Sequence, residues 1–161
     1  MRLSQIFRII FVPAVALIAG LGTLGASDPN PTRSEYFESA GGGFTYDRKA
    51  EVVRLNITLK PLKPVPPSAF LVTTFQNPAN PAKPLVVEKL AKDSLTKRGN
   101  WLDVQSAPVT GMKDNATYLI SVRLYADKTK KTLLSTHDQR VAYHQGMMDY
   151  VKRMMPLRKP K

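Results

Sequence analysis

The chain has 161 residues, 43% of them hydrophobic, which excludes global disorder and gives a single domain enough apolar side chains for a core. It has no cysteine, which excludes disulfides, a thiol nucleophile, zinc–thiolate sites and a lipidated N-terminal cysteine. With 24 Lys and Arg against 12 Asp and Glu its formal net charge is +12, a balance that favours anionic surfaces.

Residues 1–27 read as a secretory signal peptide. Arg2 and Arg8 give a positive start, Ile9 to Ala26 carries no charge, and Gly25, Ala26 and Ser27 supply small residues for cleavage. An uncleaved membrane anchor is the other reading, because about 18 apolar residues are barely enough to span a bilayer. On either reading the remainder is exported, so a periplasmic or secreted location is expected. Loss of Arg2 and Arg8 leaves 22 basic and 12 acidic residues, a net charge of +10. Its anionic partners would be acidic lipid, polysaccharide or an acidic protein, and nucleic acid is not expected for an exported chain.

Residues 28–49 contain prolines and the triple glycine Gly41 to Gly43, with no sustained period, and read as a flexible lead-in. Residues 50–145 read as a β-sandwich domain. AEVVRLNITLK alternates, with Val53, Leu55, Ile57 and Leu59 on one face and Arg54, Asn56, Thr58 and Lys60 on the other. Pro61, Pro64, Pro66 and Pro67 impose an extended connection. AFLVTTFQN is apolar on both faces, as in a central strand. A proline-punctuated loop, Asn77 to Pro84, precedes LVVEKL, and a further strand lies around WLDVQS. ATYLISVRLYA alternates again, with Tyr118, Ile120, Val122 and Leu124 on one side. A polar turn, Asp127 to Lys131, leads to TLLSTHDQRVAYH, whose uneven pattern predicts a bulge. Six to seven short strands with no long helix predict an all-β fold: an antiparallel immunoglobulin-like β-sandwich, closed by a short C-terminal helix.

Two resemblances bear on this fold. In VTGMKDNATYLISVRLY a tyrosine opens a strand after a turn carrying Gly111, Asp114 and Asn115. This resembles the tyrosine corner of immunoglobulin-like and fibronectin type III domains, which implies that the Tyr118 hydroxyl bonds back to the upstream backbone. More loosely, PPSAFLVTTFQN, the proline-rich loop and the final TYLISVRLYAD and TLLSTHDQRV segments resemble the YscW-type pilotin-like periplasmic lipoproteins. The chain departs from them in having no lipobox cysteine, and Asp127-Lys128-Thr129-Lys130-Lys131 replaces their turn glycine. That resemblance implies an envelope protein that aids assembly of something larger.

Catalytic constellations are not evident. Neighbours on a strand point to opposite faces, so His137 and Asp138 do not face each other, and His137 with Ser135 alone is no triad. No GxSxG, HExxH or phosphate-binding glycine loop occurs, and neither an enzymatic role nor a cofactor is expected.

Residues 146–161 form a Met-rich basic tail. On a helix, Met147, Met148, Val151, Met154 and Met155 make one apolar stripe, and Pro156 ends it. Three uses compete. The stripe packs on the sandwich; it binds a partner, since methionine adapts to varied surfaces and flanking Lys and Arg suit an anionic membrane; or His144, Met147 and Met148 hold Cu(I) through soft donors. The expectation is a non-catalytic binding or assembly module of the bacterial envelope contacting a protein partner. The alternatives are a periplasmic copper-binding protein and a binder of anionic lipid or polysaccharide.

Overall fold

A computed structural model describes residues 34–96 and 101–154. The leader and Met155 lie outside the described residues. Seven strands build two antiparallel sheets. β1 (Phe37–Asp47), β2 (Val52–Pro61) and β5 (Leu102–Val109) form a three-stranded sheet in the order β1-β2-β5. β3 (Phe70–Phe75), β4 (Leu85–Leu90), β6 (Thr117–Tyr125) and β7 (Leu133–Ala142) form a four-stranded sheet in the order β4-β3-β6-β7. A 3-10 turn, Ala91–Ser94, follows β4, and one helix, α1 (Gln145–Met154), follows β7. The fold is an all-β sandwich with a short C-terminal helix. Relative to constant-type immunoglobulin domains, the fourth strand pairs with the third instead of the fifth.

The core is where two alternating strands meet. Val53, Leu55, Ile57 and Leu59 of β2 are buried, and Tyr118, Ile120, Val122 and Leu124 of β6 are buried opposite them. Each aliphatic side chain so buried contributes about 1.5–3 kcal/mol of transfer free energy, set against the entropy of ordering the chain. Of the outward residues of β2, Arg54, Asn56 and Thr58 pair with Pro108, Gln105 and Asp103 of β5 and Lys60 with Glu38 of β1, giving that sheet a largely polar outer face. The bulge expected in the last strand is present: Leu124 pairs with Ser135 and Tyr125 with Leu133, so Leu134 has no partner.

Within residues 28–49, read from sequence as a flexible lead-in, the described part contains a strand. Residues 37–47 of that stretch are β1, hydrogen-bonded along β2 from Phe37–Pro61 to Asp47–Val52. A shift between Ser39 and Gly41 leaves Ala40 as an extra residue. Beyond it Phe44 and Tyr46 pack against the core. Gly42 has a packing reason for lacking a side chain, because a Cβ there would lie 3.1 Å from Gln139 Nε2 and 3.3 Å from the Asn56 carbonyl.

Side chains, not a backbone ladder, join β1 to β7 across the two sheets. The Ser34 and Ser135 hydroxyls bond each other, and Ser39 Oγ donates to Gln139 Oε1 at 2.7 Å. His137 lies on the inner face of β7, opposite Val122 and 1% exposed, with no hydrogen-bond partner for either ring nitrogen. Burial holds its pKa below the ordinary histidine value, outweighing the opposing influence of Gln139 and Asp138.

The turn before β6 is tied down twice. The Tyr118 hydroxyl accepts a hydrogen bond from the Lys113 backbone N–H at 2.8 Å, five residues upstream. Gly111 has φ +73° and presses on the proline-rich loop, where a Cβ would sit 3.1 Å from Ala79 Cα.

Candidate functional site

A concavity lies where the chain leaves β7. Tyr143 is buried beneath α1, and its N–H bonds the Ala116 carbonyl at 2.9 Å, prolonging the β6–β7 pairing by a step. Helix N-termini leave backbone donors unpaired. Here a neighbouring turn supplies the acceptor, as Asp114 Oδ1 takes the Gln145 N–H at 2.8 Å. Asn115, held at φ 57°, places Oδ1 3.0 Å from His144 Nδ1. An amide oxygen only accepts, so this contact is a hydrogen bond in the tautomer that carries its proton on Nδ1. The first helical bond runs from Met148 N–H to the His144 carbonyl at 3.1 Å. Gln145 links the turn to the helix body, accepting from the Tyr143 hydroxyl and donating to Asp149 Oδ1, each at 2.8 Å.

The helix docks through few residues. Met148 is 5% exposed and Val151 half-buried, whereas Met147 is 67% and Met154 63% exposed. The five-residue stripe read from the sequence is therefore divided. Met148 and Val151 face the sandwich, Met147 and Met154 face solvent, and Met155 lies outside the described residues. Adjacent helical residues are about 100° apart, so Met147 and Met148 cannot share one face. The same geometry bears on the copper reading. Met148 is buried in core packing while His144 and Met147 are exposed, and all three border one cleft. Among the described residues no group of three or more His, Asp or Glu could hold a metal ion.

Between α1 and β1 runs a cleft of about 450 Å³. Its walls are the Gly42–Tyr46 segment of edge strand β1 on one side and His144, Met147, Met148 and Val151 on the other. Its aromatic floor is fixed by packing: Phe44 stands edge-on to Tyr143 at 4.9 Å and to Tyr118 at 5.5 Å between ring centroids. Burial raises the Tyr143 pKa, and the carboxylates of Asp149 and Asp114 push it the same way, so its hydroxyl stays protonated. Lys152 Nζ lies 5.7 Å from the Tyr46 ring centroid, at the outer limit of a cation–π contact. A second cleft of about 410 Å³ lies beside Val53, Val109 and Met112 and also reaches Tyr143 and Lys152.

Three acids near these clefts have partners, while Glu51, which lines the second, is exposed. Asp47 pairs with Arg54 at 3.7 Å and accepts from the Lys49 and Ala50 N–H groups, Asp114 holds Gln145, and Asp149 accepts from Gln145. Lys152 and Arg153 have no carboxylate partner among the described residues. The cleft is thus apolar and aromatic inside and positively charged at its rim. Nothing in it arranges a nucleophile with a base. Away from it, Ser135 bonds Ser34 and not His137, although both lie on β7.

The sequence stripe pointed to the α1 wall of this cleft, but the β1 wall was missed. Its signal was present in the alternation of Phe37, Ser39, Phe44 and Tyr46, broken by the extra residue at Ala40 and obscured by three glycines.

Fold and cleft together define a β-sandwich module with an apolar, positively rimmed groove at one end. Compared with known proteins, the chain matches no family model, no curated protein and no solved structure. Among the described residues no helix is long and apolar enough to cross a membrane.

Proposed function

We propose that this protein is an exported, non-catalytic binding or assembly module of the bacterial cell envelope that holds a segment of a protein partner in the cleft between β1 and α1. The observation that carries this reading is the cleft itself. It combines an edge strand carrying glycines, whose backbone a partner chain can approach closely, with an aromatic floor and a solvent-facing methionine wall. The positive rim favours a partner segment with acidic flanks. Export is supported by Arg2, Arg8 and the uncharged Ile9–Ala26 run, and an assembly role by the resemblance to YscW-type pilotin-like proteins.

The test is site-specific photo-crosslinking in intact envelopes. A reactive group at Met147 should trap a defined partner, whereas one at Thr58, on the outer face of β2, should not. Met147→Ala with Met154→Ala should weaken capture without lowering the melting temperature. Equal trapping from both positions, or capture unaffected by the double variant, would remove the cleft from the binding site.

A further inference from the structure

The end of the sandwich opposite α1 carries a different surface. There β1 begins, β2 ends and β5 begins, and Leu62 N–H bonds the Tyr36 carbonyl at 2.9 Å. Leu62 is 53% exposed, Leu95 44% and Trp101 47%. Leu95 borders a cleft of about 530 Å³ with Pro61 to Val65, and Thr96 N–H bonds the Trp101 carbonyl at 2.8 Å. Three large apolar side chains thus stand in water at one end, one of them, Leu62, on a connection stiffened by Pro61, Pro64, Pro66 and Pro67. The nearby acids Glu35 and Glu38 are each held by a lysine, Lys63 at 3.1 Å and Lys60 at 2.7 Å.

Residues 1–33 join the fold at this same end. Ser34, the first described residue, accepts from the N–H groups of Tyr36 and Phe37 and bonds Ser135. Only residues 27–33 separate it from the uncharged run ending at Ala26. Seven residues reach at most about 25 Å when fully extended. We propose that this end docks on a lipid surface, with Trp101, Leu62 and Leu95 entering the boundary between headgroups and acyl chains. Tryptophan favours that boundary because its ring is apolar and its N–H can stay hydrated. The net charge of +12, or +10 without the leader, draws the whole domain toward anionic headgroups. The α1 cleft would then face away from the bilayer, open to a partner.

Trp101 is the chain's sole tryptophan, so its emission reports on this end alone. The protein as it exists in the envelope, leader cut or kept, is mixed with phosphatidylglycerol–phosphatidylethanolamine vesicles. The expected result is a blue shift of the emission, quenching by brominated acyl chains, and shielding from aqueous iodide. Leu62→Gln with Leu95→Gln keeps the reporter and should raise the lipid concentration needed by about tenfold or more. Leu62→Ser alone should act in the same direction should the double variant melt early. Unchanged emission at saturating lipid, or iodide quenching as in buffer, overturns the proposal even if the protein sediments with vesicles. So does shielding of Trp101 by envelope proteins but not by lipid. Neither result bears on crosslinking at Met147, so the two readings fail separately.

Discussion

Replacing Met148 by alanine should destabilise the whole domain, whereas replacing Met147 or Met154 should not. Met148 is 5% exposed and lies where α1 covers Tyr143 and the Phe44 ring. Large-to-small changes at buried methionines cost about 2–5 kcal/mol. At this end of the sandwich an open cleft lets neighbours relax, so the lower part of that range, about 2–3 kcal/mol, is expected. A domain of this size loses about 4 °C of melting temperature per kcal/mol, giving a drop of about 8–12 °C. Met147 and Met154 are 67% and 63% exposed, so each alanine should stay within about 0.5 kcal/mol of the parent. Thermal melts followed by far-UV circular dichroism, with urea midpoints as a second measure, separate the two outcomes. Equal losses from Met147→Ala and Met148→Ala, or a loss below about 2 °C from Met148→Ala, would refute the assignment of inner and outer helix faces. Hydrogen exchange along α1 would then show whether the helix opens independently of the sandwich.

Two further outcomes follow from the core and its turns. Burial lowers the His137 pKa in the folded state, so below the ordinary value of 6.5 the unfolded chain binds more protons. Stability should therefore fall as pH drops from about 6.5 toward the lower folded value and be unaffected by this group above that window. His137→Leu should remove that slope and, since both ring nitrogens lack partners, cost little at pH 7; denaturant midpoints at pH 5 and pH 7 for both proteins check the sign. Gly111→Ala should destabilise by about 1–2 kcal/mol or more, through its positive φ and the 3.1 Å approach to Ala79 Cα, and a melt unchanged from the parent would contradict the turn geometry.

The strands whose sequence alternates were readable because one side of each is core and the other water. Val53 to Leu59 and Tyr118 to Leu124 show this plainly, and the inward faces assigned to them are the buried ones. β1 was not readable for the opposite reason. Its three glycines bring no side chain to either face, and the residue inserted at Ala40 shifts the alternation by one. What makes Gly41 to Gly43 a strand is distant: the β2 ladder on one edge and Gln139 overhead. At the candidate site, helical spacing grouped the methionines correctly by sequence but not by face. The phase of α1 is set by Asp114 and Asn115, about thirty residues upstream, which fasten Gln145 and His144. No local pattern carries that information. The cleft's β1 wall is equally non-local, since Phe44 packs on Tyr118 and Tyr143, distant in sequence.

The side-chain links that tie Ser39 of β1, and Ser34 just before it, to β7 join residues 100 and 101 positions apart, nearly the full span of the domain. A chain threaded through a membrane from its N-terminus delivers β1 first and β7 almost last. Until β7 emerges, Ser34 and Ser39 lack Ser135 and Gln139, and the four-stranded sheet that covers β1 and β2 lacks its edge strand. Such long-range closure is slow compared with local structure formation. On the export proposed above, this order of strands would delay completion of the fold until nearly the whole chain is on the far side, keeping it threadable during transit and leaving its apolar strands in need of protection on arrival.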